Sequence, residues 1–219
     1  MGLPFTPDQF FGVFAEYNRA FWIVAVVSWF AVAAALLAAR RSPSRGSRWL
    51  TYLLSALWIW NAGAYHAWLF TRINPAAWLF AALFAVQAVL LLMGAGRRLE
   101  YFTSRGWTLG AGTALAGYAL VYPFLTIALG HDYPATPTFG VPCPTAILTI
   151  GALLTVRRGV PVWLLIIPAL WGFVGGSAAL LLRVGTDYVL LAAGVLVADR
   201  ARRGLETVAG RRHQQDFGR

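Results

Sequence analysis

The sequence predicts an all-α protein, a polytopic transmembrane bundle of seven helices with an amphipathic N-terminal interfacial helix. Two features of its composition predict this class. Of the 219 residues, 59% are hydrophobic and only 12% are charged, about half the charged fraction of ordinary globular domains. A third observation is the uneven distribution of arginine between alternate loops, because the cytoplasmic loops of membrane proteins carry an excess of basic residues.

Residues 1–20 form the predicted amphipathic N-terminal helix. The sequence TPD at residues 6–8 is typical of a helix start, with a capping threonine, proline at the first helical position and an acid in the first turn. Phe10, Phe14 and Tyr17 then recur at a spacing that gives one apolar stripe. We expect this helix to lie flat in the outer interface or to fold onto the mouth of the bundle.

The transmembrane domain is predicted over residues 21–199, and a basic cytoplasmic tail follows over 200–219. A spanning helix needs about 20 mostly apolar residues. Seven stretches qualify, although the last is shorter by roughly two turns, so whether it fully spans stays open. The predicted spans are 21–39, 49–70, 76–95, 107–129, 142–156, 162–182 and 187–199.

The arginines test this count of helices. Fifteen of the 18 fall in the loops after the first, third and fifth spans or in the C-terminal tail. The other three, Arg19, Arg72 and Arg183, lie on the opposite side. The positive-inside rule then predicts an N-terminus outside and a C-terminus in the cytoplasm. A wrong number of helices would have destroyed this alternation.

The same composition argues against several classes of protein. A net charge of +10 suggests nucleic-acid binding in a soluble domain, but here the arginines follow membrane sidedness, so we expect no nucleic acid. The chain has no lysine, and a retinal Schiff base therefore cannot form. Its single cysteine, Cys143, excludes an intramolecular disulfide and any multi-cysteine metal site. The expected partner is the lipid bilayer.

Polar, aromatic and titratable residues concentrate in the predicted outer half. In the second span, Asn61 and Tyr65 share one helix face with Trp58, and His66 lies on the next face. The loop between the fourth and fifth spans is rich in proline and contains no arginine. We predict an outward-facing pocket closed by the N-terminal helix. Its predicted lining is Asn61, Tyr65, His66, Tyr122, His131, Tyr133 and Cys143.

Structural roles are alternatives for several of these residues. An asparagine inside a span must face protein, and a hydrogen bond between helices would explain Asn61 without a ligand. His66 could simply anchor the second helix near the interface. Arg183 and Asp187 are most simply read as an ion pair or a capping set.

A metal or haem site would need His66, His131 and Cys143 to meet. Two histidines and a thiolate can hold zinc or copper, and a single histidine can ligate haem. The three residues come from separate elements with no recognisable metal-binding spacing. The sequence therefore leaves a membrane redox or metal enzyme as an alternative, without identifying a catalytic residue or a cofactor.

Four blocks of the chain resemble a known family. They are FTPDQFFGVFAEYNRAFW, WIWNAGAYHAWLFTRINPAAWLF, GHDYPATPTFGVPCPTAILTIGALL and IPALWGFVGGSAALLL. Together they resemble a bacterial polytopic membrane family, domain of unknown function 6064, over nearly the whole chain from Phe5 to about Val197. One departure is Ile23, where that pattern often has proline. The resemblance implies the fold and the membrane location but no activity, cofactor or catalytic residue.

These observations lead to three hypotheses about function. The first is a bacterial inner-membrane protein that binds or transports a small molecule or ion through the outward-facing pocket. The second is the redox or metal enzyme described above, and the third is a structural or assembly subunit of a larger membrane complex. The ligand, any coupling ion and the oligomeric state are beyond what the sequence determines.

Overall fold

The computed structural model describes residues 4–95, 99–157 and 160–216, and within these ranges the chain folds into helices joined by short loops. Four of the arginines used to predict the topology, Arg97, Arg98, Arg158 and Arg219, lie outside the described residues. Seven α-helices are present in the described part. They are α1 (Pro7–Arg41), α2 (Pro43–Trp60), α3 (Ala77–Ala95), α4 (Trp107–Ala128), α5 (Pro142–Leu154), α6 (Trp163–Leu182) and α7 (Tyr188–Asp216).

Four of the described helices are long and apolar enough to cross a membrane. They are Pro7–Arg41, Ala77–Gly94 within α3, Trp107–Ala128 and Trp163–Leu182. Their outward surfaces carry large apolar side chains such as Phe30, which is 63% exposed. Such surface is costly in water but matches a hydrocarbon environment. By their length and composition, these helices suggest a membrane protein.

The N-terminal helix and the first apolar stretch form one helical element with a break. Phe21 has φ −130° and ψ 22°, outside the helical region, within α1. Thr6 caps the helix start: its side chain accepts from the Gln9 amide, and the Gln9 side chain accepts from the Thr6 amide. The break at Phe21 coincides with the predicted junction between residues 1–20 and the first span.

The central helix is α5, in which all thirteen residues are buried. It is about 20 Å long at 1.5 Å per residue, shorter than the predicted span 142–156 and shorter than the roughly 30 Å of a bilayer core. Irregular backbone is tolerated at membrane depth where protein surrounds it. The enclosure of α5 by its neighbours explains how so short a helix can occupy the middle of the bundle.

Glycine allows the closest helix contacts. A Cβ on Gly112 of α4 would lie 2.6 Å from the carbonyl oxygen of Gly151 on α5. A Cβ on Gly172 of α6 would lie 2.6 Å from the Cα of Gly194 on α7. Small residues at such crossings let backbones approach closely, which is how helices associate in membranes.

One end of the bundle, which we call the arginine-rich end, is formed by the α1–α2 junction, residues 99–106, residues 155–157 and the first part of the predicted tail. The amide of Tyr101 donates to Ser47, and the amide of Phe102 donates to Thr155. The Tyr101 hydroxyl lies 3.1 Å from Thr51 Oγ1, and burial raises the pKa of Tyr101 to about 12. These contacts fix the loop before α4 against the ends of α2 and α5.

Part of the predicted basic cytoplasmic tail is helical, because α7 continues through Asp216. Arg202 and Arg203, three and four residues after Asp199, both pair with Asp199, and Arg202 also pairs with Glu206. Pairs at these spacings support a helix by a few tenths of a kcal/mol each.

Candidate functional site

The opposite end of the bundle, the arginine-poor end, brings together the N-terminal part of α1, residues 70–76, residues 129–141 and residues 183–187. An apolar cluster joins these segments, with Phe14 of α1 packed against Tyr65 at a ring distance of 5.7 Å. Phe10 contacts Phe70 in the same cluster. The N-terminal helix is therefore folded onto the mouth of the bundle, which was one of its two predicted positions.

Asn18 ties this helix to the proline-rich loop. It is fully buried, and its Nδ2 donates to the carbonyl oxygens of Pro134 and Thr136, both at 2.7 Å. Its Oδ1 accepts from Thr138 Oγ1 at 2.5 Å. One residue earlier, the Tyr17 hydroxyl donates to the carbonyl oxygen of Gly140 at 3.0 Å. The loop thus has its backbone carbonyls satisfied by the N-terminal helix.

A cavity of about 200 Å³ lies beneath the N-terminal helix at this end. The end of the second helical stretch, the start of α3, the start of α5, the outer part of α6 and Asp187 all contribute to its wall. Six of the lining side chains are aromatic, and none of the described lining residues is basic. The aromatic lining is Phe5, Phe10, Tyr65, Phe70, Phe80 and Trp171.

Local sequence explains how α5 can begin inside this buried region. The first backbone amides of a helix normally lack hydrogen-bond acceptors within the helix. A helix that begins in a buried region must therefore bond these amides elsewhere or have fewer of them. Pro142 and Pro144 have no N–H, and the Thr145 amide donates to the carbonyl oxygen of Val141. The PCPT sequence therefore leaves few donors to satisfy, and it presents Cys143 to the cavity.

Asp187 is the acidic residue of the cavity wall, and it is only 2% exposed. The Tyr122 hydroxyl donates to its Oδ1 at 2.5 Å, and Cys143 lines the same cavity. The neighbouring Thr186 is bonded to two residues of α4. The Tyr118 hydroxyl donates to the carbonyl oxygen of Thr186 at 2.8 Å, and the Thr126 hydroxyl donates to Thr186 Oγ1. Contacts from α4 and α5 therefore surround this carboxyl.

The interpretation of Arg183 and Asp187 as an ion pair is wrong. Arg183 caps α6 in the left-handed conformation, with φ 57°, and its side chain is exposed. Among the ion pairs of the described residues, none includes Asp187. The turn between α6 and α7 directs the two side chains to different environments, so Asp187 is a buried acid that forms no ion pair with the described residues.

A π-helix, Asn61–Leu69, continues directly from α2 and carries three of the predicted site residues. In this wider winding, the amide of Phe70 reaches the carbonyl oxygens of both His66 and Tyr65. Tyr65 and His66 were assigned to adjacent faces, but both are buried, at 3% and 0% exposed. π-helical segments are frequent at functional sites, and this one places Tyr65 in the cavity wall.

His66 lies directly behind the cavity, enclosed by aromatic rings. Its ring centroid is 4.5 Å from that of Phe84 and 5.2 Å from that of Trp171. Neither ring nitrogen has a hydrogen-bond partner within the described structure, and the same holds for Nε1 of Trp171. Buried polar atoms are seldom left unpaired, and these three belong to two rings that lie next to each other beside the cavity.

The other predicted site residues fall into two groups. Tyr65 and Cys143 line the cavity, and Tyr122 reaches it through Asp187. Asn61 instead joins α2 to α5, because its Nδ2 donates to Thr145 Oγ1 at 3.2 Å. This interhelical bond is the structural alternative given for Asn61 above.

His131 and Tyr133 remain on the loop surface. His131 stacks on Phe11 at 4.7 Å, and Tyr133 is 56% exposed. The structure does not bring His66, His131 and Cys143 together as a metal site. No group of three or more histidine, cysteine and acidic side chains able to hold a metal occurs in the described ranges, which contain all three residues.

Sequence reasoning missed Asp187 and Trp171 as parts of the site. Asp187 was paired by proximity in sequence with Arg183, although an ionisable residue at the start of a predicted span is by itself a signal of function. Trp171 gave no such signal, since a tryptophan in an apolar helix is usually packed in the core.

The fold and the site together describe an all-helical protein with four helices apolar enough to cross a membrane and an aromatic cavity near one end of its bundle. The sequence profile of a family of unknown function, DUF6064, matches residues 7–203, and the chain belongs to this family. No curated protein matches the chain, and no solved structure does.

Proposed function

We propose that the chain is a multi-pass protein of the bacterial inner membrane that binds a small molecule in the cavity at its arginine-poor end, as a receptor or a transporter. The observation that carries this proposal is the aromatic cavity of about 200 Å³ beneath the N-terminal helix. Ligand pockets are typically concave, mostly apolar and equipped with a few fixed polar groups. Asp187, Tyr65 and Cys143 are such groups here.

The proposed membrane arrangement has seven spans. The four long apolar helices supply four of them, and the other three are the continuous helical stretch 43–69, α5 with its flanking loops, and the first part of α7. The positive-inside rule supports a cytoplasmic arginine-rich end, which includes Arg40, Arg105 and Arg157. The cavity then opens toward the outer face.

Reporter fusions test the topology. Alkaline phosphatase, active only outside the inner membrane, is fused after Pro134 and after Arg105. Activity is expected for the first fusion and not for the second, and the reverse pattern would contradict the proposed orientation.

A cavity-filling variant tests ligand binding. Val174 lines the cavity, whereas Val195 is 56% exposed on α7. Val174→Trp fills the cavity, and Val195→Trp makes the same change on the outside of the bundle. We expect mass spectrometry of protein purified from its native membrane to find a bound small molecule in the wild type and in Val195→Trp, but not in Val174→Trp.

Two outcomes would refute binding in this cavity. One is a bound molecule retained by Val174→Trp while that variant elutes as a folded, monodisperse protein. The other is a wild-type protein that carries no small molecule and gains no thermal stability from a broad library of metabolites.

A further inference from the structure

The charge of the cavity points to the chemistry of its ligand. The chain has a net charge of +10 and 18 arginines, yet none of the described lining residues is basic. The wall instead contains one buried carboxyl, Asp187. A carboxylate withdrawn from water is costly unless it is paired, and no cation of the described structure pairs with it.

The aromatic lining points in the same direction. Aromatic faces carry negative electrostatic potential and attract cations, and cages of aromatic rings are the usual sites for quaternary ammonium groups. Tyr65 stacks on Phe70 at a ring distance of 5.6 Å, and Phe80 meets Trp171 edge to face at 5.4 Å. These two pairs form walls of a cavity whose acidic group is Asp187.

A third observation is independent of the carboxyl. Trp171 lines the cavity and is 91% buried, since 9% of its surface is exposed, yet its Nε1–H has no acceptor in the described structure. An indole N–H of this kind normally has an acceptor, and the described structure supplies none. A molecule that carries a cationic group would pair with Asp187, the acidic residue of the same wall.

We propose that the cavity between Asp187, Trp171 and the aromatic rings of Tyr65, Phe70 and Phe80 binds a small organic ammonium ion. This inference rests on the proposed binding function and specifies its ligand class. The size follows from the volume. At roughly 30 Å³ for each water-sized group, a cavity of about 200 Å³ accommodates about seven such groups, the scale of choline or phenethylammonium.

The binding test compares charged probes with neutral molecules of the same shape. Choline is paired with 3,3-dimethylbutan-1-ol, and phenethylammonium with 2-phenylethanol, in thermal unfolding of the full chain in detergent. We expect an ammonium ion to stabilise the wild type with at least tenfold tighter apparent binding than its neutral partner. Asp187→Asn should abolish that preference, and Asp132→Asn, an equal change of charge on the exposed loop, should retain it.

A second test measures the cavity in the wild-type protein and uses a cysteine placed on the exposed loop as its reference. Cys143 is the only cysteine of the chain and lines the cavity. Its thiolate attacks a methanethiosulfonate reagent at the thiol sulfur, forming a disulfide and releasing methanesulfinate. The ratio of rates for the trimethylammonium reagent and the sulfonate reagent is independent of the thiolate fraction. We expect this ratio to be at least tenfold higher at Cys143 than at Ala135→Cys in a Cys143→Ala background.

The outcomes separate the ligand class from the binding function. Equal responses to charged and neutral probes, or a preference retained in Asp187→Asn, would overturn the ammonium assignment and leave a cavity that binds neutral molecules. Equal reagent ratios at Cys143 and at the loop position would also overturn it. If neither class of probe binds and Val174→Trp changes no measured property, the proposed binding function fails as well.

Discussion

The contact between α4 and α5 allows a quantitative prediction with an internal control. A Cβ added at Gly112 would lie 2.6 Å from the carbonyl oxygen of Gly151 and 2.8 Å from Cγ2 of Thr155. Optimal contacts between carbon atoms are about 3.5–4.0 Å, so Gly112→Ala must push the two helices apart by about 1 Å. Overpacking of this kind costs roughly 1–3 kcal/mol, partly offset by about 1 kcal/mol of helix propensity gained on replacing glycine.

Gly117 is the matched control, because it lies in the same helix and a Cβ there would meet nothing within 4 Å. Gly117→Ala gains the helix propensity without the clash. The two variants should therefore differ in stability by about 2 kcal/mol, the middle of the overpacking range. For a chain of this size, that difference corresponds to about 4–8 °C in the unfolding midpoint.

Circular dichroism during heating in detergent measures both midpoints under one condition. Equal midpoints for Gly112→Ala and Gly117→Ala, or a lower midpoint for Gly117→Ala, would show that α4 and α5 do not pack through Gly112. The close approach around the buried α5 would then be wrong.

Three further predictions concern buried polar groups. Asn18→Ala removes three hydrogen bonds worth about 1 kcal/mol each. Hydrogen exchange should therefore accelerate in residues 131–140 and stay unchanged in α4. Uniform acceleration would show that Asn18 does not hold this loop locally. His66→Phe removes two unpartnered nitrogens, so ligand-free thermal stability should stay equal or rise by about 1 kcal/mol, and a large loss would reveal a partner for the ring. Burial raises the pKa of Tyr101 from 10.0 to about 12. The contribution of the neutral, buried phenol to the free energy of unfolding is therefore complete below pH 10 and is lost as the pH approaches 12. Unfolding curves for wild type and Tyr101→Phe should converge across that interval, and a constant difference would refute the assignment.

Much of the fold could be predicted because each long helix is an uninterrupted apolar stretch. The predicted spans 107–129 and 162–182 differ from α4 and α6 by one residue at an end. The short α5 was harder, because a helix enclosed on all sides has no amphipathic pattern to mark where it ends. The sequence analysis assigned no secondary structure to residues 200–216, because polar residues with local charge pairs can form either a helix or an irregular tail.

The site was only partly predictable, for two physical reasons. Helix periodicity assumes regular α winding, and the π-helix over Asn61–Leu69 rotates the following residues relative to that expectation, which brought His66 into the interior beside Tyr65. Ion pairs inferred from sequence proximity ignore the turn between elements. The side chain of Arg183, which has a left-handed backbone conformation, lies at the surface. Asp187 instead accepts a hydrogen bond from Tyr122 and lines the cavity.

The proline-rich stretch over residues 130–144 combines the two roles considered for it. Its middle part has a structural role, because Asn18 and Tyr17 donate hydrogen bonds to loop carbonyls and His131 stacks on the N-terminal helix. Its last residues belong to the cavity, because the PCPT sequence starts α5 with few free amides and directs Cys143 toward Asp187. A loop fastened to the N-terminal helix at one end and to the cavity wall at the other couples the two mechanically. Occupancy of the cavity should therefore slow hydrogen exchange in residues 131–140, and the same ligand should have no such effect in Asn18→Ala.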